Sequence, residues 1–151
     1  MYDLEAMLGF LVYKAHQRSF GEFRRLLEPV GLTPPQFGVL ALLQQRDAQS
    51  QALLCERGVA DPNTMVGIVD RLEAAALVRR CRDPRDRRVY LVRLTAAGRR
   101  MFARCVPLQR RSTARCWAAL SASEQQRLRS LLRKALHAWK PNAEREPRSH
   151  E

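Results

Sequence analysis

The stretch Arg79–Gly98, RRCRDPRDRRVYLVRLTAAG, decides how the rest of the chain is read. Val, Tyr and Leu mix with Arg here in the composition and alternation of a strand, whereas the other segments have a helical period. The spans Val78–Arg82 and Val89–Leu94 read as two short strands. Between them Asp83, Pro84, Arg85 and Asp86 carry the Asp-Pro signature of a turn. Arginines at 79, 80, 82, 85, 87 and 88 crowd this one hairpin. Immediately afterwards Thr95 has the character of a helix N-cap.

Upstream of the hairpin the chain reads as a set of capped helices. Leu4, Met7, Leu8, Leu11, Val12, Ala15, Phe23, Leu26 and Leu27 recur at helical steps, which predicts one long amphipathic helix from Leu4 to Glu28, stopped by Pro29 and Gly31. Thr33, Pro34 and Gln36 form the signature of a capping box on a second helix, whose Phe37, Leu40 and Leu43 share a face. Arg46 to Gln49 is a polar connection. Ser50 caps a short third helix, Gln51 to Gly58, anchored by Leu53 and Leu54. Asp61 and Pro62 open a fourth, with Met65, Ile68, Val69 and Leu72 inward and Asn63, Thr64, Gly67, Asp70 and Arg71 on other faces. A capped short helix, a turn and a helix with a polar N-terminal half form the helix-turn-helix plan. The hairpin that follows is placed as a wing, so the fold class is mainly α with a small β-hairpin: a winged helix-turn-helix.

Downstream, Thr95 starts a long helix that Pro107 is expected to kink near Ala103–Cys105. Ser121 and Glu124 mark a capping box on a last helix carrying Leu128, Leu131, Leu132, Leu136 and Trp139, ended by Pro141. The resulting organisation is a long N-terminal helix over 1–32, a DNA-binding lobe over 33–94, C-terminal helices over 95–140 and a disordered tail over 141–151.

The 151 residues suit one domain, and 46% hydrophobic content supplies a core. The formal charge of +12 points to a polyanion. Lys14, Lys134 and Lys140 are the only lysines. Arg and Ala richness of that kind also follows from genome base composition, so the location of the charge matters more than its sum. The N-terminus lacks a basic region and a small-residue cleavage site, and no apolar run approaches the roughly 20 residues of a membrane span. A cytoplasmic protein without a membrane partner is expected. Cys55, Cys81, Cys105 and Cys116 have no paired spacing with one another or with His, so reduced thiols are expected, with no metal and no cofactor. No phosphate loop, nucleophile elbow or ligand cluster suggests an enzyme.

The segments GLTPPQFGVLALL, VDRLEAAALVRR and above all DPRDRRVYLVRLTAAG resemble, in order and spacing, the MarR family of bacterial transcriptional regulators. The resemblance runs from about Leu8 to Trp139. Ala76 stands where the family usually has a glycine, and the turn RGVAD shifts Gly58 and Val59 against the family pattern. The resemblance implies a homodimer entwined through its first and last helices, which makes 1–32 and 95–140 its dimerisation helices. It also implies a repressor role and a pocket for lipophilic or aromatic anions between the dimer helices and the DNA-binding lobe.

These readings assign sites. In the major groove Asn63 suits adenine, and Thr64 a base or a thymine methyl, while Pro62 opens the helix and Gly67 permits close approach. Ser50 and Gln51 start a helix whose N–H groups favour a phosphate, and Arg71 suits another. Arg85, Arg87 and Arg88 suit the minor groove, where negative potential concentrates. Asp83 and Asp86 are read as braces that hold wing arginines in one geometry. Leu4, Leu8, Leu128, Leu132, Leu136 and Trp139 are expected at the dimer interface. A twofold dimer predicts an inverted-repeat operator in double-stranded DNA. For the effector, Tyr13, His16, Arg18 and Phe20 on the first helix and Met101 and Arg104 on the fifth suit an aromatic or lipophilic anion; the competing reading is that these aromatics are core. Two alternatives stay open: a redox-sensing regulator of the same fold, in which Cys81 among its arginines (or Cys105 or Cys116) reacts, and a sequence-indifferent architectural DNA binder.

Overall fold

The computed structural model describes residues 3–138, and these form six α-helices and three short strands. One compact unit ends at Cys116 and a second begins at Trp117.

In the first unit, α1 spans Leu8–Leu27. It starts four residues later than its apolar period predicts. Asp3 accepts the backbone N–H groups of Glu5 and Ala6, forming a turn that holds Leu4 outside the helix. A 3-10 turn, Glu28–Val30, follows and closes on Gly31 at φ 71°, a left-handed value that glycine tolerates. α2 spans Pro34–Gln45 and has the capping box expected from its sequence: Thr33 N–H donates to Gln36 Oε1 at 2.8 Å, and Gln36 N–H returns to Thr33 Oγ1 at 3.4 Å.

The connection after α2 is not merely polar. Gln49–Ser50 is a strand, β1, and Gln49 is buried. Its side-chain amide donates to the carbonyls of Leu42 (2.9 Å) and Arg46 (2.6 Å). The Leu42 carbonyl already takes Arg46 N–H at 3.1 Å, and Arg46 lies just past the helix, so Gln49 adds a side-chain closure to the end of α2 from outside. α3 (Gln51–Glu56) and α4 (Pro62–Ala74) are joined through Gly58 at φ 78°. β2 (Val78–Arg82) and β3 (Tyr90–Leu94) pair antiparallel, Arg80 opposite Val92, and the sheet order is β1-β3-β2.

α4 ends at Ala74, earlier than its apolar run suggests. Ala76 adopts φ 56°; its N–H donates to Glu73 O at 2.8 Å, and Leu77 N–H to Leu72 O at 2.9 Å. That is the Schellman closure, made with alanine in the position that normally takes glycine. Leu72 and Leu77 are both buried, giving the apolar contact that accompanies the motif.

α5 spans Ala96–Cys116 and stays helical through Pro107. Proline removes one N–H from the ladder without ending the helix here. The core lies among α1 to α4, the sheet and α5: Leu27, Val39, Leu40, Leu43, Leu54, Met65, Val69, Leu72, Val92 and Cys105 are fully buried. Phe23 meets Phe37 edge-on at 5.1 Å between ring centres, and Phe37 stacks on Phe102 at 5.5 Å. These rings tie α1, α2 and α5 together.

In the second unit, α6 spans Ala122–Ala138. Its capping box forms as the sequence suggests: Ser121 N–H donates to Glu124 Oε2 at 2.8 Å and Glu124 N–H to Ser121 Oγ at 3.3 Å. Gln125 Nε2 donates to the carbonyls of Trp117 and Leu120, closing the preceding turn. Trp139 and the tail lie outside the described residues.

The T-A-A-G segment has a steric explanation. Thr95 Oγ1 accepts Gly98 N–H at 2.9 Å and donates toward the carbonyls of Ala76 (2.7 Å) and Leu77 (3.1 Å). A Cβ on Gly98 would lie 2.0 Å from the Leu77 carbonyl oxygen. Because the obstruction is backbone, Gly98→Ala is expected to cost at least about 2 kcal/mol. Ala76→Gly is expected to act oppositely. Left-handed strain of about 1–2 kcal/mol is relieved, partly offset by the greater unfolded-state freedom of glycine, for a net gain of about 0.5–1 kcal/mol. Thermal midpoints of both variants at one fixed protein concentration check the signs.

Candidate nucleic-acid interface

The exposed end of the first unit is built from the N-terminal half of α4 and from the hairpin. Asp61 caps α4. One carboxylate oxygen accepts Asn63 N–H at 3.0 Å and Thr64 N–H at 3.1 Å, and the other accepts the Thr64 hydroxyl at 2.5 Å. The Thr64 hydroxyl and backbone N–H bonds hold the Asp61 carboxyl below its usual pKa. Thr64 therefore spends its hydroxyl hydrogen inside the cap while the residue stays exposed. Pro62, Asn63, Thr64, Val66, Asp70 and Arg71 are exposed, and Gly67 is half-buried with open space where a side chain would stand.

Ser50 Oγ accepts Leu53 N–H at 3.2 Å and so caps α3. Gln51 is half-buried, and its Nε2 has no partner among the described residues. Val59, in the turn, packs against Gly38 with a methyl 3.1 Å from where a Cβ would be. The shifted turn thus rests on the bare backbone of α2.

The hairpin tip is ordered by its aspartates in two different ways. Asp86 takes Arg88 bidentately, Nε and Nη2 each at 3.1 Å, and also accepts Arg88 N–H at 3.0 Å. The Arg88 bonds lower the Asp86 pKa. Asp83 bonds the backbone instead, accepting Arg85 N–H at 2.8 Å, so it shapes the turn rather than gripping a guanidinium. Arg85 and Arg87 are exposed. Arg82, which the sequence does not single out, donates to Arg87 O and lies over the Tyr90 ring at 4.9 Å.

A second arginine missed in the sequence joins the two parts. Arg80 on β2 donates to Glu73 Oε2 at 2.5 Å and to Asp70 Oδ1 at 2.6 Å, and Glu73 Oε1 accepts Arg80 N–H at 2.7 Å. Both acids sit on α4, so the helix and the strand are cross-braced. The backbone N–H and guanidinium of Arg80 lower the Glu73 pKa. Asp70 and Glu73 face one side of a helix, a spacing that the arginine-rich strand could have been matched to. Asp47 makes a comparable link, accepting Leu94 N–H at 2.9 Å and Arg99 at 3.3 Å.

Of the six residues assigned to an effector, the structure brings His16 and Phe20 together and sets the other four apart from them. His16 and Phe20 line a small cavity of about 150 Å³ with Ser19, Phe23, Gln109, Ser112 and Thr113. Lys14, Ala15, Gln17 and Arg18 line a separate groove of about 600 Å³. Tyr13 accepts a hydrogen bond from Gln17, Met101 packs against the core, and Arg104 is exposed. The α1–α5 side of the cavity, Ser112 and Thr113 included, escapes sequence reading because small hydroxyl residues carry no periodic signal. Of the cysteines, Cys105 is buried, and burial raises its thiol pKa. Cys81 is half-buried, its Sγ 3.6 Å from Leu91 O.

Comparison with known proteins fits this geometry. The family model for MarR matches residues 32–90. The transcriptional repressor NicR of Pseudomonas putida is 35% identical over 135 residues, 89% of this chain and 85% of that protein. The chain belongs to the MarR family. As a member it is a DNA-binding transcriptional regulator and not an enzyme. BpsR of Bordetella bronchiseptica, whose DNA binding is regulated by 6-hydroxynicotinic acid, superimposes with a TM-score of 0.86 at 32% identity, covering 92% of this chain and 99% of that one. A mutant of Escherichia coli MarR complexed with operator DNA does so at 0.79 and 28%, covering 85% and 93%. No single helix among the described residues is long and apolar enough to cross a membrane.

The lowered carboxylates set an acid limit for this MarR-family interface. A carboxylate whose folded pKa is depressed contributes stability that is complete above its unfolded pKa and is lost as pH falls through its folded value. The thermal midpoint is therefore expected to hold steady from pH 7 to about pH 5 and to fall below about pH 4. Glu73→Gln should flatten part of that fall, measured by thermal scans across pH at constant ionic strength.

Proposed function

We propose that this MarR-family chain is a repressor that binds an inverted-repeat operator as a homodimer, with α4 in the major groove and the β2–β3 wing in the adjacent minor groove. The observation that carries the reading is the cross-braced pair of elements: an α4 with an exposed polar N-terminal half, tied through Arg80 to a hairpin whose tip is ordered and basic. In this reading Asn63, Thr64 and Gly67 meet base edges and Pro62 sets the entry of the helix. Ser50, Gln51 and Arg71 meet phosphates, and Arg85, Arg87 and Arg88 meet the minor groove. Asp83 and Asp86 act as braces, one through the turn and one through Arg88.

The homodimer rests on apolar side chains that have no cover among the described residues. Leu8 is 76% exposed and Leu136 72%, and Leu4 and Leu132 are exposed as well; Leu128 is half-buried. Isolated exposed leucines are ordinary, but Leu8, Leu11 and Val12 recur at helical spacing on α1, as Leu132 and Leu136 do on α6, and such rows are interface-like. Trp139 continues the α6 row in sequence.

The effector is proposed to be a single-ring aromatic acid, the class that regulates BpsR. The cavity beside His16 and Phe20 supports it, with an imidazole and hydroxyls near apolar rings, and its volume falls below the roughly 300 Å³ of larger ligand sites. Burial and the raised thiol pKa of Cys105 weigh against a redox sensor at that position.

Selection of bound fragments from genomic DNA tests the reading. Recovery of an inverted repeat, half-sites about 10 bp apart or a multiple, is the expected result. Recovery without any consensus would indicate an architectural binder. Asp86→Ala is expected to weaken operator binding although it raises the net charge, because Arg88 loses its clamp. Equal or tighter binding in fluorescence anisotropy overturns the bracing role.

A further inference from the structure

We propose that Val66 is a specificity-determining residue that reads the 5-methyl group of a thymine in the major groove. The inference rests on the DNA-binding reading above and adds an apolar base contact on the face of α4 that carries Asn63.

Val66 is 49% exposed, a large apolar side chain in the first two turns of α4. On a helix advancing 100° per residue, the buried stripe of Met65, Ile68, Val69 and Leu72 points one way, and Asn63, Gly67 and Asp70 point opposite. Val66 lies on the shoulder of that outward face, one turn from Asn63 and one turn from Asp70. Packing among the described residues does not account for it. The core cluster and the hydrophobics packed against it do not include it.

Two neighbours sharpen the assignment. Thr64, whose hydroxyl is fixed to Asp61 at 2.5 Å, also carries a methyl group but stands on the opposite flank of the helix, so it is Val66 that shares a face with Asn63. Gly67 leaves bare backbone beside Val66, and a Cβ there would meet nothing within 4 Å. Glycine inside a helix costs about 1 kcal/mol relative to alanine, and intrachain packing does not demand it here. An absent side chain beside an exposed valine is a shape that admits the edge of a base pair. The pattern displayed by adenine–thymine in the major groove combines a donor and acceptor on adenine with the thymine methyl. Asn63 and Val66 on one face match that pair of chemistries.

The test uses the full chain and duplexes selected by it from random DNA. Each thymine of the selected site is replaced in turn by deoxyuridine, which removes the methyl group alone. For the wild type, one thymine per half-site should be sensitive, with affinity falling about fourfold for each half-site changed, the effect of one buried methyl. Val66→Ala should bind the thymine duplex more weakly and show no sensitivity at that position, with unchanged circular dichroism and thermal midpoint as the control for folding. A wild type indifferent to deoxyuridine at every position overturns the inference, as does a Val66→Ala variant that keeps the wild-type sensitivity. Selection that returns no consensus instead overturns the DNA-site reading itself, and with it this contact.

Discussion

The carbonyl oxygen of Leu77 is the point through which the DNA-binding lobe is assembled. It accepts both the backbone N–H and the hydroxyl of Thr95, and Gly98 lies so close that no side chain fits between them. Leu77 is the first residue beyond the left-handed turn that ends α4, and β2 begins beside it. Thr95 follows β3 and caps α5. One acceptor therefore joins the end of α4, both wing strands and the long helix. Because the contact is backbone on one side and a bare α-carbon on the other, it has no rotamer with which to relax, and displacement at one element is felt by the rest.

A second tie works at the other end of the strand. Arg80 spans from β2 to Asp70 and Glu73 on α4, with side chains only partly withdrawn from water. Exposed ion pairs contribute little to global stability. The worth of this one is geometric. It fixes the angle between a helix and a hairpin that are proposed to enter different grooves, where an error of a fraction of a turn would forbid simultaneous contact. Arg82 on Tyr90 and Arg88 on Asp86 extend the same bracing outward, so that much of the basic surface is held before any polyanion arrives. Pre-ordering of long cationic side chains lowers the entropy lost on binding.

Much of this was legible in the residues. Helix starts were, because capping chemistry is local: Thr33 with Gln36, Ser50, Asp61 and Ser121 with Glu124 each act within three residues. The hairpin was legible because turn and strand signals adjoin. What escaped depended on distant partners. Gln49 looks like loop polarity until the end of α2 is placed over it. Arg80 is one arginine among many until α4 lies beside β2. Ala76 carries no local preference for the left-handed turn it adopts; only the resemblance, which has a glycine there, marks the place, and packing of Leu72 and Leu77 outweighs the preference of alanine. The late start of α1 was missed for the opposite reason: an apolar period continued through Leu4, while Asp3 took nearby N–H groups for a turn. The effector residues fared differently again, because aromatic and cationic side chains on one helix do not show which of them share a cavity.

Phe23 occupies two roles at once. Its ring forms a wall of the small cavity beside His16, and its edge rests on Phe37, which stacks in turn on Phe102. The cavity is therefore not a vacancy set into a finished core; one of its walls is the first rung of an aromatic ladder that reaches α2 and α5. Interiors packed to crystalline density do not absorb a moved ring locally. The packing of α1 on α2 and the lining of the cavity therefore depend on one and the same side chain, so Phe23 could not be trimmed to enlarge the cavity without loosening the contact between the two helices.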